Sequence, residues 1–463
     1  MDTEIITLDP ATGAEIARHP ACTPAQVEAG LATAHAAALA WGRQPLSVRL
    51  AGVRRLAQAL RAEARPLAAL ITREMGKPLA ESLGEVEKSA TTALYYVEQA
   101  ERLLADEPVA IDGVEAWVAW EPMGLILAVM PWNFPVWQVM RCALPTLAAG
   151  NGLLLKHAPN VTGCALALQR LATEAGLPAG LLSTLVIAEP EVPATIERLI
   201  ADERIAAVTL TGSNRAGAAV GAAAGRAAKK TVLELGGSDA FIVLEDADLD
   251  AAVAAAVKAR FHNAGQSCVC AKRFIVSAAI AEAFSARFVE RVQALVVGDP
   301  TAATTQIGPL ARADLRQALQ SQVERSVAAG ARLLCGGHPL PGPGAYYAPT
   351  VLADVRPGMA AFDEETFGPV ATISVARDDA DAVRLADATA FGLSVSLWSA
   401  APERARHVAR QLTTGAVFIN AVTASDARLP FGGTRQSGHG RELAAAGLRE
   451  FCNQRTWWVC RPD

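Results

Sequence analysis

No cysteine pair has the two-residue spacing of a zinc site, and eight cysteines in 463 residues are too few for a disulfide scaffold. Long apolar runs are missing too: residues 125–132, near the middle, fall far short of the roughly 18 that a membrane span needs. Neither sign of charge forms a block. Lys and Arg number 42 against 47 Asp and Glu, a net charge of −5, so the basic stripe of a nucleic-acid surface is absent. Gly and Pro, at 36 and 26, occur at ordinary frequency, which argues against disordered or fibrous chains. There is no Gly-x-Gly-x-x-Gly, and Gly76-Lys77 is followed by Pro78, so neither common phosphate loop is present. The first ten residues carry acids and no apolar segment. No secretory leader is expected, and the reducing cytoplasm is the expected compartment.

What the sequence does have is apolar material, 51% of residues, enough for two or three cores at about 100–200 residues per domain. Residues 23–99 read as Ala/Leu/Arg-rich helices, starting at Thr23-Pro24 and after Gly76-Lys77-Pro78. Strand-sized apolar runs follow at 125–130, 152–156, 184–188, 206–210, 231–235 and 240–244, most of them followed by helical segments. An amphipathic helix is expected over 136–149 and another helix over 161–175. Such alternation implies parallel sheets covered on both faces, in two successive α/β domains. Residues 113–121 and 456–460, rich in Trp, read as strands outside this pattern. An aromatic strand left exposed invites pairing, so a subunit interface is their expected destination.

Three segments suggest chemistry. Thr211-Gly212-Ser213 follows a strand and opens a helix, where free N–H groups make an anion seat; read alone, Ser213 is better explained as a helix cap. Asn263-Ala264-Gly265-Gln266-Ser267-Cys268 ends a helix with a turn that exposes a thiol, as a nucleophile requires. Glu234 ends a strand before Gly236-Gly237, at the edge of a parallel sheet that usually faces the ligand.

With Pro131-Trp132-Asn133-Phe134-Pro135, Glu364-Glu365-Thr366-Phe367-Gly368-Pro369 and Pro430-Phe431-Gly432-Gly433, continuing through Gln436-Ser437-Gly438 to Gly440-Arg441-Glu442, the whole chain resembles the aldehyde dehydrogenase superfamily. Lys156-His157-Ala158-Pro159-Asn160 and Ala424-Ser425-Asp426-Ala427-Arg428 look like its short bacterial succinate-semialdehyde dehydrogenase branch. The resemblance implies an α/β aldehyde dehydrogenase fold. A Rossmann-like NAD(P)-binding domain would comprise 1–107 and 124–232, a catalytic α/β domain 233–436, and a small β oligomerisation element 108–123 and 437–463. It also implies a homodimer or a tetramer of paired dimers acting on a small aldehyde; the charge balance, run lengths and cysteine spacing leave nucleic acid, membrane and metal unexpected.

The roles it implies are these. Cys268 attacks the aldehyde, Asn133 and the Cys268 N–H hold the oxyanion, and Glu234 activates the hydrolytic water. Trp132, Lys156, Thr211, Gly212, Ser213, Leu235, Glu365 and Phe367 would bind the cofactor. Many NAD-preferring relatives carry a glutamate where Pro159 stands here, so NAD with appreciable NADP use is expected. For a four-carbon semialdehyde the distal carboxylate needs a partner. Arg141, with Gln138 one turn earlier, is the expected reader, helped by His262, Ser425 and Arg428. A thioester passed to a thiol carrier is disfavoured by Glu234, and a catalytically silent structural relative by the presence of Cys268 and Asn133. A broad-specificity aliphatic or aromatic aldehyde dehydrogenase is the alternative. Cys270, two residues past the nucleophile, is either a resolving thiol that caps an oxidised Cys268 or a small packed side chain.

Overall fold

The computed structural model describes residues 4–460. The helical N-terminal region comprises Pro24–Gly42, Leu46–Ala62, Ala64–Met75 and Leu79–Leu103. Thr23 and Gln26 cap the first of these reciprocally, each side chain accepting from the other residue's backbone N–H. A hairpin of Glu4–Leu8 and Glu15–Pro20, which the apolar pattern does not announce, precedes them.

Apart from a short pair of Phe391–Gly392 with Thr434–Arg435, the remaining strands fall into three sheets. In the first, Lys230–Glu234, Ile205–Thr211, Leu125–Met130, Gly152–His157 and Leu182–Thr184 run parallel in that spatial order. The second runs Arg332–Cys335, Thr350–Ala353, Val370–Ala376, Ala271–Ser277, Asp239–Val243, Ser394–Trp398 and Ala416–Ile419, parallel except at its first edge. The chain crosses from one sheet to the other between Glu234 and Asp239, at Leu235-Gly236-Gly237-Ser238. A short strand, Gly438–His439, then returns to pair antiparallel with Glu234 and Leu233. The third sheet joins the two Trp-rich segments: Cys452–Cys460 pairs with Val114–Pro122, which pairs with Glu107–Ile111. Trp117 stacks on Trp457 with ring centroids 5.4 Å apart, while Trp458 is 56% exposed.

One expected element differs in kind. The helix Trp137–Ala149 is not amphipathic, because all of its residues are buried. It is enclosed by the helices Leu46–Ala62, Leu79–Leu103 and Ala444–Arg449 and by the first sheet. Its polar side chains, Gln138 and Arg141, therefore sit in the interior and need partners there. Among the described residues no helix is long and apolar enough to cross a membrane.

Candidate active site

Cys268 sits on a loop that the backbone holds in an uncommon shape. Asn263, Ala264 and Gly265 all have positive φ, at 53°, 51° and 73°. A left-handed conformation costs a non-glycine residue about 1–2 kcal/mol, so something must fix it. Asn263 Nδ2 donates to the carbonyls of Asn133 (2.9 Å) and Gln266 (3.2 Å), and the Gln266 side chain bridges Asn263 O and Ala311 N. Gly265 also passes directly against the Gly368 carbonyl, where a Cβ would collide. Lys272, four residues past the thiol, is fully buried; its ammonium donates to the Ser267 and Cys268 carbonyls at 2.9 Å and pairs with Glu365 at 3.1 Å. Arg260 donates to the carbonyls of Thr366, Gly368 and Val370, tying the Glu-Glu-Thr-Phe-Gly-Pro segment to the same loop.

The facing turn is equally fixed. His157 lies between the carbonyls of Met130 and Pro135, and burial pulls its pKa down to about 4, so it is neutral. Glu85 accepts from the Val136 and Trp137 N–H groups at 2.8 and 2.9 Å and pairs with Lys77. Between them, the Asn133 amide is brought to 3.1 Å from the Gln266 carbonyl, beside the nucleophile loop. That bond uses one N–H of the amide and leaves the second. Burial pushes the Cys268 thiol up to about 12, against the pull of Arg141 and Lys272. The thiolate is thus a minor species at neutral pH, and attack requires a base.

Behind the thiol lies a buried charge cluster. Arg141 pairs with Glu442 and stacks on Phe431, its guanidinium carbon 4.6 Å from the ring centroid. Glu234, whose Oε1 lacks a hydrogen-bond partner, packs against Gly432, where a Cβ would stand 2.7 Å from that oxygen. Burial, reinforced by Glu442, raises the Glu234 carboxyl well above the usual range. Arg141 therefore faces both carboxyls, and Arg441 also acts on Glu234.

A cavity of about 350 Å³ opens over Cys268, lined among others by Phe134, Trp137, Gln138, Arg141, His262, Cys270 and Ser425. Three expected substrate contacts change here. The charge of Arg141 is already matched by Glu442, because its helix is enclosed rather than surface-lying. Arg428 does not line the cavity; it is exposed and held bidentate by Asp426 at 2.7–2.8 Å. His262 does line it, but burial draws its pKa to about 4 and it stacks on Phe134, so it offers no cation at neutral pH. Ser425 accepts from Lys88 Nζ at 2.6 Å, a residue the sequence reading missed. Cys270 is a buried free cysteine, its thiol directed to the His262 carbonyl at 3.7 Å.

On the other side, Trp132 meets Phe367 edge-on at 5.6 Å, and Glu365 accepts from the Gly237 N–H at 3.1 Å. Ser213 caps the helix Asn214–Arg226 through the Ala216 N–H. Three expected cofactor contacts are otherwise engaged. The Gly212 N–H donates to the Glu234 carbonyl at 2.9 Å, the Thr211 hydroxyl faces Arg141 at 3.4 Å, and the Leu235 side chain packs inward on the helix at Gly217. Lys156 is largely buried, and the acidic Glu189 on a neighbouring turn holds up the ammonium that burial pulls down. Asn160 is half-buried with its amide atoms out of solvent, and neither its Oδ1 nor its Nδ2 has a partner. Unpaired polar atoms beside a lysine and a helix start fit the hydroxyls and phosphates of a nicotinamide dinucleotide.

The fold and site define a dehydrogenase of the thiol-nucleophile kind, and the chain belongs to the aldehyde dehydrogenase family, whose model matches residues 1–457. It is 49% identical over 459 residues to the Escherichia coli K12 protein "Succinate semialdehyde dehydrogenase [NAD(P)+] Sad", covering 99% of this chain and 98% of that one. A Synechocystis protein named "Probable succinate-semialdehyde dehydrogenase [NADP(+)]" is 47% identical over 455 residues, covering 98% and 99%. The crystal structure of succinic semialdehyde dehydrogenase from Streptococcus pyogenes in complex with NADP+ superposes with a TM-score of 0.95 at 34% identity, over 99% of this chain and 100% of that one.

Proposed function

We propose that the chain oxidises a short acid-bearing semialdehyde, succinate semialdehyde first among them, to the acid with NAD or NADP. What supports this most is one cavity that places a nucleophilic cysteine opposite Lys88, whose ammonium is held by the neutral Ser425 hydroxyl, in a chain similar over its whole length to succinate-semialdehyde dehydrogenases. Cys268 gives its proton to solvent water and the thiolate adds to the aldehyde carbon, while the free N–H of Asn133 and the Cys268 backbone N–H hold the oxyanion. The bound nicotinamide supplies the hydride acceptor, and a thioester remains on Cys268. Glu234 then takes a proton from the water that hydrolyses it. Lys156, Ser213, Glu365, Trp132 and Phe367 would hold the dinucleotide, with 1–107 and 124–232 as its domain and 233–436 as the catalytic one. The Trp-rich sheet would pair subunits, and the cytoplasm is the proposed compartment. NAD(P) reduction with ω-carboxy, aliphatic and aromatic aldehydes tests the substrate. Succinate semialdehyde should lead by kcat/KM; equal turnover of butanal or benzaldehyde would favour the broad-specificity alternative.

The acidic group that position 159 lacks is supplied from the turn carrying Glu189. Its carboxylate should weaken a 2′-phosphate without excluding it, leaving NAD preferred by less than about a thousandfold, or ~4 kcal/mol. Glu189→Gln should tighten NADP relative to NAD by about fivefold, in the range of an exposed charge pair. The measurement is fluorescence titration with both dinucleotides at low and high salt. An unchanged ratio would remove Glu189 from cofactor choice.

A further inference from the structure

The cavity over Cys268 has one wall made by a single helix face. Glu81, Gly84, Glu85 and Lys88 line it at i, i+3, i+4 and i+7 of the helix Leu79–Leu103. Most charges in this wall and opposite are matched. Glu85 is paired with Lys77 and Arg141 with Glu442, while Glu81 accepts the Asn263 N–H at 2.9 Å and burial raises its pKa to about 7. Lys88 is different. Among the described residues no carboxylate lies within ion-pair distance of it. Its ammonium is held between the Ser425 hydroxyl, at 2.6 Å, and the face of Trp137, 4.5 Å from the ring centroid. Both of those contacts are neutral, and they use only part of its three-donor capacity.

An ammonium with no carboxylate at ion-pair distance, on which Asp426 and Glu85 act only from further off, half-buried in the wall of a substrate cavity, is set for an anionic ligand. We propose that Lys88, steadied by Ser425 and Trp137, is the group that receives the distal carboxylate of the substrate, and so determines the preference for acid-bearing aldehydes. This rests on the reading of the chain as a semialdehyde dehydrogenase and replaces Arg141 as the reader. Burial draws the Lys88 ammonium down to about 8, a cost that a bound carboxylate would reverse. Among the described residues, the competing cation is Lys258, which also lines the cavity without an ion pair but is exposed. An exposed lysine gives a weaker, salt-screened contact.

The test is steady-state kinetics of the purified full chain and its variants. The readout is the ratio of kcat/KM for succinate semialdehyde to that for butanal. A charge-assisted contact of this kind corresponds to about 10–100-fold. Lys88→Met should lower the ratio by that factor, mainly through KM for the semialdehyde. Lys88→Arg should keep the ratio within about fivefold of the parent, since the charge is retained. Lys88→Glu should invert the preference, raising turnover of the cationic 4-aminobutanal above that of succinate semialdehyde. A merely structural lysine would not give this inversion. A parent ratio near one would overturn the semialdehyde reading together with this proposal. A high parent ratio kept in Lys88→Met, or lost in Lys258→Met instead, would overturn the role of Lys88 alone.

Discussion

Glu234→Gln should release about one equivalent of reduced cofactor per chain in a rapid burst and then nearly stop. The steady rate should fall by about 10²–10⁴, the range for loss of a general base. The side chain reaches its place because the Glu234 backbone is pinned on both sides: its carbonyl accepts the Gly212 N–H, and Gly438 pairs with it across the sheet edge. The carboxyl then lies against Gly432 with Oε1 unpartnered, and burial raises its proton affinity. That makes it a stronger base toward water than a solvated glutamate. Gln preserves the shape and removes only the basicity, so acylation of Cys268 continues while hydrolysis fails. The melting temperature of Glu234→Gln should be unchanged or higher, because a buried unpartnered carboxyl is costly. Stopped-flow absorbance at the reduced-cofactor band, with mass spectrometry for the acyl adduct, checks both parts. A variant that lost the burst as well would place Glu234 in the first half of the reaction, as the base for the Cys268 thiol.

The sequence was informative where a local pattern dictates the outcome. Apolar runs such as 125–130 became central strands buried except at Val129, and Thr23-Pro24 began a helix through a side-chain cap, because such signals act within a few residues. The thiol loop was legible in the same way, as Asn-Ala-Gly-Gln before a cysteine marks a turn. Its three consecutive left-handed residues were not legible, because the bonds from Asn263 to Asn133 and from Gln266 to Ala311 come from chain 45 residues away or more. The burial of the helix Trp137–Ala149 escaped for a similar reason. Its polar residues suggested a wet face, whereas neighbouring helices and Glu442, some 300 positions on, enclose them. Lys88 was missed because nothing in its own helix distinguishes it from an ordinary surface lysine. Its meaning comes from Ser425 and Trp137, brought together only by the fold. Lys272 was the exception with a signal in reach: a lysine four residues beyond a nucleophile is placed to hold that loop.

Arg141→Met should destabilise the protein by about 3–5 kcal/mol, the usual result of breaking a buried ion pair from one side. Arg141 is fully buried between Glu442 and the Phe431 ring, with Glu234 close enough to feel its charge. Burial raises the proton affinity of both carboxyls, and Arg141 opposes that rise in each. The sign of the pH dependence follows from this. Carboxyls whose folded pKa lies above the unfolded value of about 4.3 bind protons on folding, so the stability they allow is full at low pH and declines as pH rises toward the folded value. Without the guanidinium both folded values move higher, and the decline extends further into the neutral range. The loss in Arg141→Met should therefore be larger at pH 8 than at pH 6, and Arg141→Met combined with Glu442→Gln should recover much of it. Urea unfolding of the three proteins at the two pH values measures this. A loss equal at both pH values would mean that Arg141 acts through its packing on Phe431 and not through charge. A stable Arg141→Met that had lost only its preference for succinate semialdehyde over butanal would return Arg141 to the role of carboxylate reader.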